Sequence, residues 1–147
     1  MYVANGNTSQ ILQITPGGAV SFFATAGTFG LTGLAADSSG NLYASDIYAD
    51  KIDKITPGGS VSLFATLPFN SGAYGLAFDG GGNLYTADFA SAKISKISPD
   101  GLTVTPFATG TSAPHFIAFA PVPEPSSAGL LGAVAGSLIL RRRRAKA

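Results

Sequence analysis

The sequence predicts an all-β fold of repeated four-stranded blades, the architecture of a β-propeller, followed by a short C-terminal transmembrane helix. Three observations carry this expectation. The chain repeats itself at about 42 residues, a period at which four short strands make one blade. Gly, Pro, Asn and Asp fall at turn spacing inside each repeat, and Ile, Val, Phe, Tyr and Thr gather between them in runs too short for helices. Residues 121–147 leave that pattern for an uncharged apolar run and a cluster of arginines.

The elements follow in order. Tyr2-Val3-Ala4-Asn5 is a shortened copy of a segment that recurs in full as Asn41-Leu42-Tyr43-Ala44-Ser45-Asp46 and as Asn83-Leu84-Tyr85-Thr86-Ala87-Asp88. Ile11-Leu12-Gln13-Ile14-Thr15-Pro16-Gly17-Gly18 then returns as Lys51-Ile52-Asp53-Lys54-Ile55-Thr56-Pro57-Gly58-Gly59 and again from Lys93 to Gly101. Phe23-Ala24-Thr25, Phe64-Ala65-Thr66 and Phe107-Ala108-Thr109 close the three units. The middle copy reads as strands over about 31–36, 42–45, 51–56 and 60–66. Ser38-Ser39-Gly40-Asn41 and Pro57-Gly58-Gly59 supply hairpin turns, because Gly allows positive φ and Pro presets the first turn residue. Ile52 and Ile55 depart from strict alternation, which taken alone also fits a helix; the adjacent Pro-Gly turn and the short run favour a strand. Apolar residues on both faces suit a sheet packed between two neighbours, as a propeller blade is.

Gly-Leu-Ala-x-Asp at 33–37 and 75–79, Gly-Asn-Leu-Tyr at 40–43 and 82–85, the Asp that follows, and Lys-Ile-x-Lys-Ile at 51–55 and 93–97 resemble, in that order, NHL-type propeller blades. The resemblance covers residues 1 to about 120 and divides them at about 1–30, 31–72 and 73–120. It implies a propeller of the six-bladed type, in a broad group that holds both gluconolactonase-like calcium enzymes and binding modules without catalysis. Beginning inside a second strand and ending on a first strand near Phe116 to Phe119, the chain supplies twelve strands, hence three blades. Propellers usually close with four to eight. The open blade faces are therefore expected to be covered either by upstream blades absent from this chain or by self-association of two chains into one ring. The first alternative is favoured, since it also accounts for an N-terminus, Met1-Tyr2-Val3-Ala4, that lacks the basic and apolar segments of a signal peptide.

The formal net charge of +1 conceals an asymmetry: five of the nine basic residues, Arg141 to Arg144 and Lys146, lie in the last seven positions. Residues 1–125 carry four Lys against eight acids, net −4. That balance speaks against a nucleic-acid partner, which needs basic surface to replace phosphate counterions. Cysteine is absent, so disulfides, thiolate metal sites and Cys nucleophiles are excluded.

Pro121, Pro123 and Pro125 make an extended spacer, because Pro fixes φ and removes a donor. The segment 126–140 is uncharged and apolar, shorter than the roughly 20 residues that span a bilayer, and snorkelling Arg141 extends its reach. Arg141, Arg142, Arg143 and Arg144 set the topology, since such clusters stay cytoplasmic and leave the propeller outside. The motif Val122-Pro123-Glu124-Pro125, the apolar helix and the basic tail at 141–147 together resemble the PEP-CTERM sorting signal of Gram-negative bacteria. That resemblance implies recognition and cleavage by an exosortase, transient anchoring in the inner membrane, and delivery to the cell surface or extracellular matrix. A plain tail anchor is the simpler alternative.

Within the repeats, Asp46 and Asp88, with Asn5 in the first copy, invite a calcium reading, but an Asp at a strand end usually accepts backbone N–H bonds. Asp37 and Asp79 read as turn residues in the same way. His115, the one histidine, stands where Thr32 and Tyr74 stand in the other copies, at the edge expected to face the central channel. In the gluconolactonase-like family a neighbouring position can hold a metal ligand, which makes His115 the best single candidate for catalysis or metal. Yet Thr32 and Tyr74 bring no carboxylate to it, and calcium needs several oxygen ligands. No Gly-x-Ser-x-Gly elbow, His-Glu-x-x-His helix or phosphate loop occurs. Tyr43, Tyr85, Tyr48 and Phe89 fit either blade core or a ligand surface, with core the default for the repeated tyrosines. The favoured expectation is an exported, non-catalytic propeller without a cofactor that binds exopolysaccharide or an envelope protein. Its competitor is a calcium-dependent lactonase-like or hydrolytic propeller whose acids lie in missing blades.

Overall fold

The structure is a computed structural model and describes residues 1–120. Eleven strands make three antiparallel meanders. The first sheet holds β1 (Tyr2–Asn5), β2 (Gln10–Ile14) and β3 (Val20–Thr25). The second holds β4 (Leu31–Ala36), β5 (Leu42–Asp46), β6 (Lys51–Ile55) and β7 (Val61–Thr66), and the third β8 (Ala73–Phe78), β9 (Leu84–Asp88), β10 (Lys93–Ile97) and β11 (Val104–Thr109). These are the blades of a β-propeller, and the middle blade's strands lie within a residue of the expected positions. No helix among the described residues is long and apolar enough to cross a membrane. The sorting motif at Val122–Pro125, the apolar helix at 126–140 and Arg141–Arg144 lie outside the described residues.

The expected twelfth strand is not formed. Residues 116–119 run along the inner edge of the third blade without a ladder of their own. Their path nevertheless repeats that of β8 beside β4. A Cβ built on Gly33 would collide with the carbonyl oxygen of Tyr74, and one on Gly75 would fall 2.7 Å from that of His115. Phe119 also packs on Tyr85 with ring centroids 4.9 Å apart, as Phe78 packs on Tyr43 at 4.9 Å. Position without pairing has a simple cause. Strand hydrogen bonds need a ladder partner, and no described strand pairs with this segment.

The irregular Ile52-Ile55 spacing also has a physical reason. Successive strand residues point to opposite faces, so the two isoleucines enter different interfaces. Ile55 joins Ile11, Ala24, Leu31, Leu42 and Ala44 between the first and second blades, and Ile52 joins Tyr43, Leu76, Leu84 and Ile97 between the second and third. Both side chains have no exposed surface. The closing Phe-Ala-Thr segments mark a β-bulge. Ile52 pairs with Ala65 and Asp53 with Leu63, leaving Phe64 as the extra residue; Phe23 and Phe107 are the extras in the other blades. The bulge turns each Phe ring onto the blade's tyrosine, with centroids 4.9, 4.8 and 4.9 Å apart for Tyr2–Phe23, Tyr43–Phe64 and Tyr85–Phe107. Tyr43 and Tyr85 are consequently core residues, each 4% exposed.

Candidate functional site

A meander sorts its loops by end. The β3–β4, β5–β6, β7–β8 and β9–β10 connections gather at one end of the sheets, and the β4–β5, β6–β7, β8–β9 and β10–β11 connections at the other.

At the second end each first hairpin is built around an aspartate. Asp37 accepts the backbone N–H of Ser39 and of Asn41 on Oδ1, both at 2.9 Å, and the Asn41 amide at 2.7 Å and Tyr43 hydroxyl at 3.1 Å on Oδ2. Asp79 repeats the set with Gly81, Asn83 and Tyr85. Gly40 closes the first turn at φ 82°, a conformation that Gly adopts without a Cβ penalty. Burial works to raise the Asp37 carboxyl, but the donors of Asn41, Ser39 and Tyr43 outweigh it and hold the pKa below its ordinary value. The Asn83 amide leads the same lowering at Asp79. Between these hairpins lies a groove of about 450 Å³ bordered by Asp37, Asn41, Lys54, Phe78 and Asp79. Lys54 Nζ stands 5.6 Å from the centre of the Tyr43 ring. This groove was not foreseen from the sequence. The signal was present in the repeated Asp, Asn and Tyr positions, but nothing in it showed that adjacent hairpins would part enough to leave a cavity.

The first end holds the remaining candidates. Thr32 donates to the Ala73 carbonyl at 2.8 Å and lies 3.1 Å from Ser45 Oγ. Ser45, which the sequence reading passed over, is fully buried; it donates to the Tyr74 carbonyl and accepts from Gly33 N–H, both at 2.9 Å, and so ties the second blade to the third. Thr32 also lines two small clefts, one with Gly33, Gly75 and Phe116 and one with Asn7, Tyr48 and Tyr74. His115 does not meet a carboxylate cluster. Its ring lies 4.8 Å from Tyr74 and 4.7 Å from Phe89, centroid to centroid, and Tyr74 and Phe89 are 5.4 Å apart. The three rings form one edge-on aromatic cluster, and Phe29, Tyr48, Phe69 and Phe116 are exposed in loops of the same end.

Asp46 and Asp88 stand at equivalent strand ends in unlike surroundings. Asp46 accepts Thr28 N–H at 2.7 Å on one oxygen and the N–H groups of Tyr48 and Ala49, each at 3.0 Å, on the other, so it binds two loops together. Asp88 has no exposed surface and is met by two hydroxyls, Thr86 Oγ1 and Ser95 Oγ, each at 2.6 Å. Burial pushes its carboxyl up, against the hydrogen bonds from Ser95 and Thr86. Asp50 and Asp53, not singled out beforehand, also hold loops: Asp50 accepts the N–H groups of Asn70, Ser71 and Gly72, and Asp53 that of Gly27 at 2.7 Å, with Lys51 at 3.5 Å. Among the described residues no three His, Asp or Glu side chains converge in a metal-binding group.

Blades of this geometry define the class of protein, a β-propeller. No family model and no curated protein matches the chain. Solved propellers do. The virginiamycin B lyase from Staphylococcus aureus superposes with a TM-score of 0.70 at 20% identity, over 81% of this chain and 41% of that one. A streptogramin B lyase gives 0.70 at 21% identity over 80% and 40% of the two chains. A catalytically inactive variant of the Staphylococcus aureus enzyme with quinupristin gives 0.63 at 23% identity over 75% and 38%. The chain thus spans about two fifths of the length of these structures, and the likeness is one of fold.

Proposed function

We propose that this protein is an exported cell-surface or matrix component whose propeller binds a ligand without transforming it, and that a PEP-CTERM-type tail, through an exosortase, delivers it. The aromatic cluster of Tyr74, Phe89 and His115, set among further exposed rings at one end of the blades, carries the binding half of this reading. Flat apolar faces with a polar edge are what a sugar ring stacks against, so the ligand is an exopolysaccharide. The carboxylates nearby do not serve as acid and base, because backbone N–H groups or buried hydroxyls already engage them. The delivery half rests on the sequence of residues 121–147.

Binding of matrix polysaccharide to the 147-residue protein, followed calorimetrically, tests the first half. Replacing Tyr74 and Phe89 by Ala should weaken it at least tenfold while the melting transition is retained; equal binding by the variant, or binding only to an envelope protein, overturns the polysaccharide assignment. Substituting Glu124 and Pro125 tests the second half, with uncleaved protein retained in the inner membrane as the expected result and unchanged release as the contrary one. Turnover of a lactone together with a calcium-dependent rise in melting temperature, or cleavage of a streptogramin B antibiotic, would replace binding by catalysis.

A further inference from the structure

Beside the aromatic cluster, at the junction of the first two blades, the β1–β2, β3–β4 and β5–β6 loops border a cleft of about 290 Å³. Phe29, Tyr48 and Tyr74 line it together with Asn7 and Thr32, and none of its lining residues is charged. Tyr74 is shared, since it also lies 5.4 Å from Phe89 and 4.8 Å from His115, centroid to centroid. Cleft and cluster are therefore continuous.

The rings are open to solvent, yet the chain beneath them is fixed. Phe29 is 67% exposed and Tyr48 78%. On one side of Phe29 the backbone N–H and hydroxyl of Thr28 donate to Asp46 Oδ2 at 2.7 and 3.1 Å. On the other, Gly30 N–H donates to the Gly6 carbonyl at 3.0 Å, and the Gly30 carbonyl accepts Ile47 N–H at 3.1 Å. Tyr48 rests against Gly30: a Cβ built there would fall 2.6 Å from the ring, and φ is 92°, so the position takes Gly. The repeat supplies a control. Ala90 holds the place of Tyr48 in the third blade, and its methyl carbon lies 2.8 Å from a Cβ built on Gly72. A methyl group thus satisfies the fold at this seat, and the Tyr48 ring is more than blade packing asks for. Rings held in this way lose little freedom when a ligand stacks on them.

Aromatic walls, an uncharged lining and a few amide and hydroxyl groups suit a neutral sugar ring, with its apolar face and polar rim, better than an ion. Net charge points the same way, since residues 1–125 carry −4 and repel a polyanion. We propose that this cleft is a second sugar subsite, which takes an uncharged pyranose residue while the Tyr74, Phe89 and His115 cluster takes a neighbouring one, so that the ligand is an internal stretch of a neutral polysaccharide. The inference rests on the polysaccharide-binding reading above and narrows it. Tyr48 and Phe29 are the stacking residues of the new subsite, and the Asn7 amide and Thr32 hydroxyl are its polar partners.

Gluco-, manno- and galacto-oligosaccharides from disaccharide to hexasaccharide, titrated calorimetrically into the 147-residue protein, test this, with alginate oligomers of equal length as the charged counterpart. The best-bound neutral series should gain about tenfold in affinity between disaccharide and hexasaccharide, the worth of about one added stacking contact, and should exceed alginate at every length. Tyr48→Ala, which gives the second blade what the third already carries, should keep the melting transition and lose that gain; Tyr48→Phe should keep both. Phe89→Ala should weaken every length, disaccharide included. A Tyr48→Ala protein that binds hexasaccharide as the parent does, or a parent without length dependence, overturns the second subsite and leaves the cluster's role intact. Alginate bound as well as the neutral oligomers overturns the uncharged ligand. No binding by any oligomer overturns both the subsite and the polysaccharide reading beneath it.

Discussion

Asp46 and Asp88 occupy one repeat position and do different work. Asp46 is 1% exposed and accepts backbone N–H groups from two loops, so truncating it orphans several donors at once. Asp46→Ala should cost about 3 kcal/mol in urea unfolding, by the usual cost of losing charge-assisted hydrogen bonds; a loss below about 1 kcal/mol would mean the loops hold themselves. Asp88 is raised by burial above its unfolded value of 3.8, so its contribution is fully present below that pH and is lost as pH rises through the higher folded value. Asp88→Asn should remove that loss, so the variant gains on the parent protein as pH rises above 3.8, read by urea unfolding across the acid range. Asp37 and Asp79 have the opposite sign: their contribution is present above 3.8 and disappears as pH falls through their lowered folded values. The sequence showed that these acids sit beside turns. It did not show which would receive backbone donors, because Thr28 lies in a loop eighteen residues away from Asp46.

Among the elements, strands and hairpins were legible because turn chemistry and apolar runs are local properties. Gly33 shows where local reading stops. It opens the motif Gly-Leu-Ala-x-Asp, yet its necessity comes from the next blade, whose Tyr74 carbonyl occupies the space of a Cβ. Gly33→Ala should therefore destabilise by about 1–3 kcal/mol, the range of an overpacked site. Gly80→Ala, with nothing within 4 Å and φ outside the left-handed region, should stay within about 0.5 kcal/mol of the parent. Equal effects in thermal unfolding would show that the inner strands do not approach as closely as described. The Phe-Ala-Thr segments were seen as punctuation; that each carries a bulge placing a Phe on a Tyr required the pairing partners.

For the molecule as a whole, stacking decides what a residue contributes. Ile52 is closed between two blades and Ile94, its repeat partner, faces outward. Ile52→Ala should cost about 2–5 kcal/mol, the range for a large side chain lost from a core, and Ile94→Ala clearly less.

Composition, period and turn residues alone determined that residues 1–120 are all-β, that they are built of repeated blades, and that the sequence of residues 121–147 departs from that pattern. These follow from the sequence because strand and turn preferences act over a few residues and a repeat multiplies their signal. Only the tertiary structure decided that His115 joins Tyr74 and Phe89 instead of a carboxylate cluster, that Asp46 and Asp88 differ, and that residues 116–119 lie where a strand belongs without becoming one. Each of those depends on groups brought from another blade, and spacing along the chain does not encode which side chains, backbone donors or partner strands will be waiting across the interface.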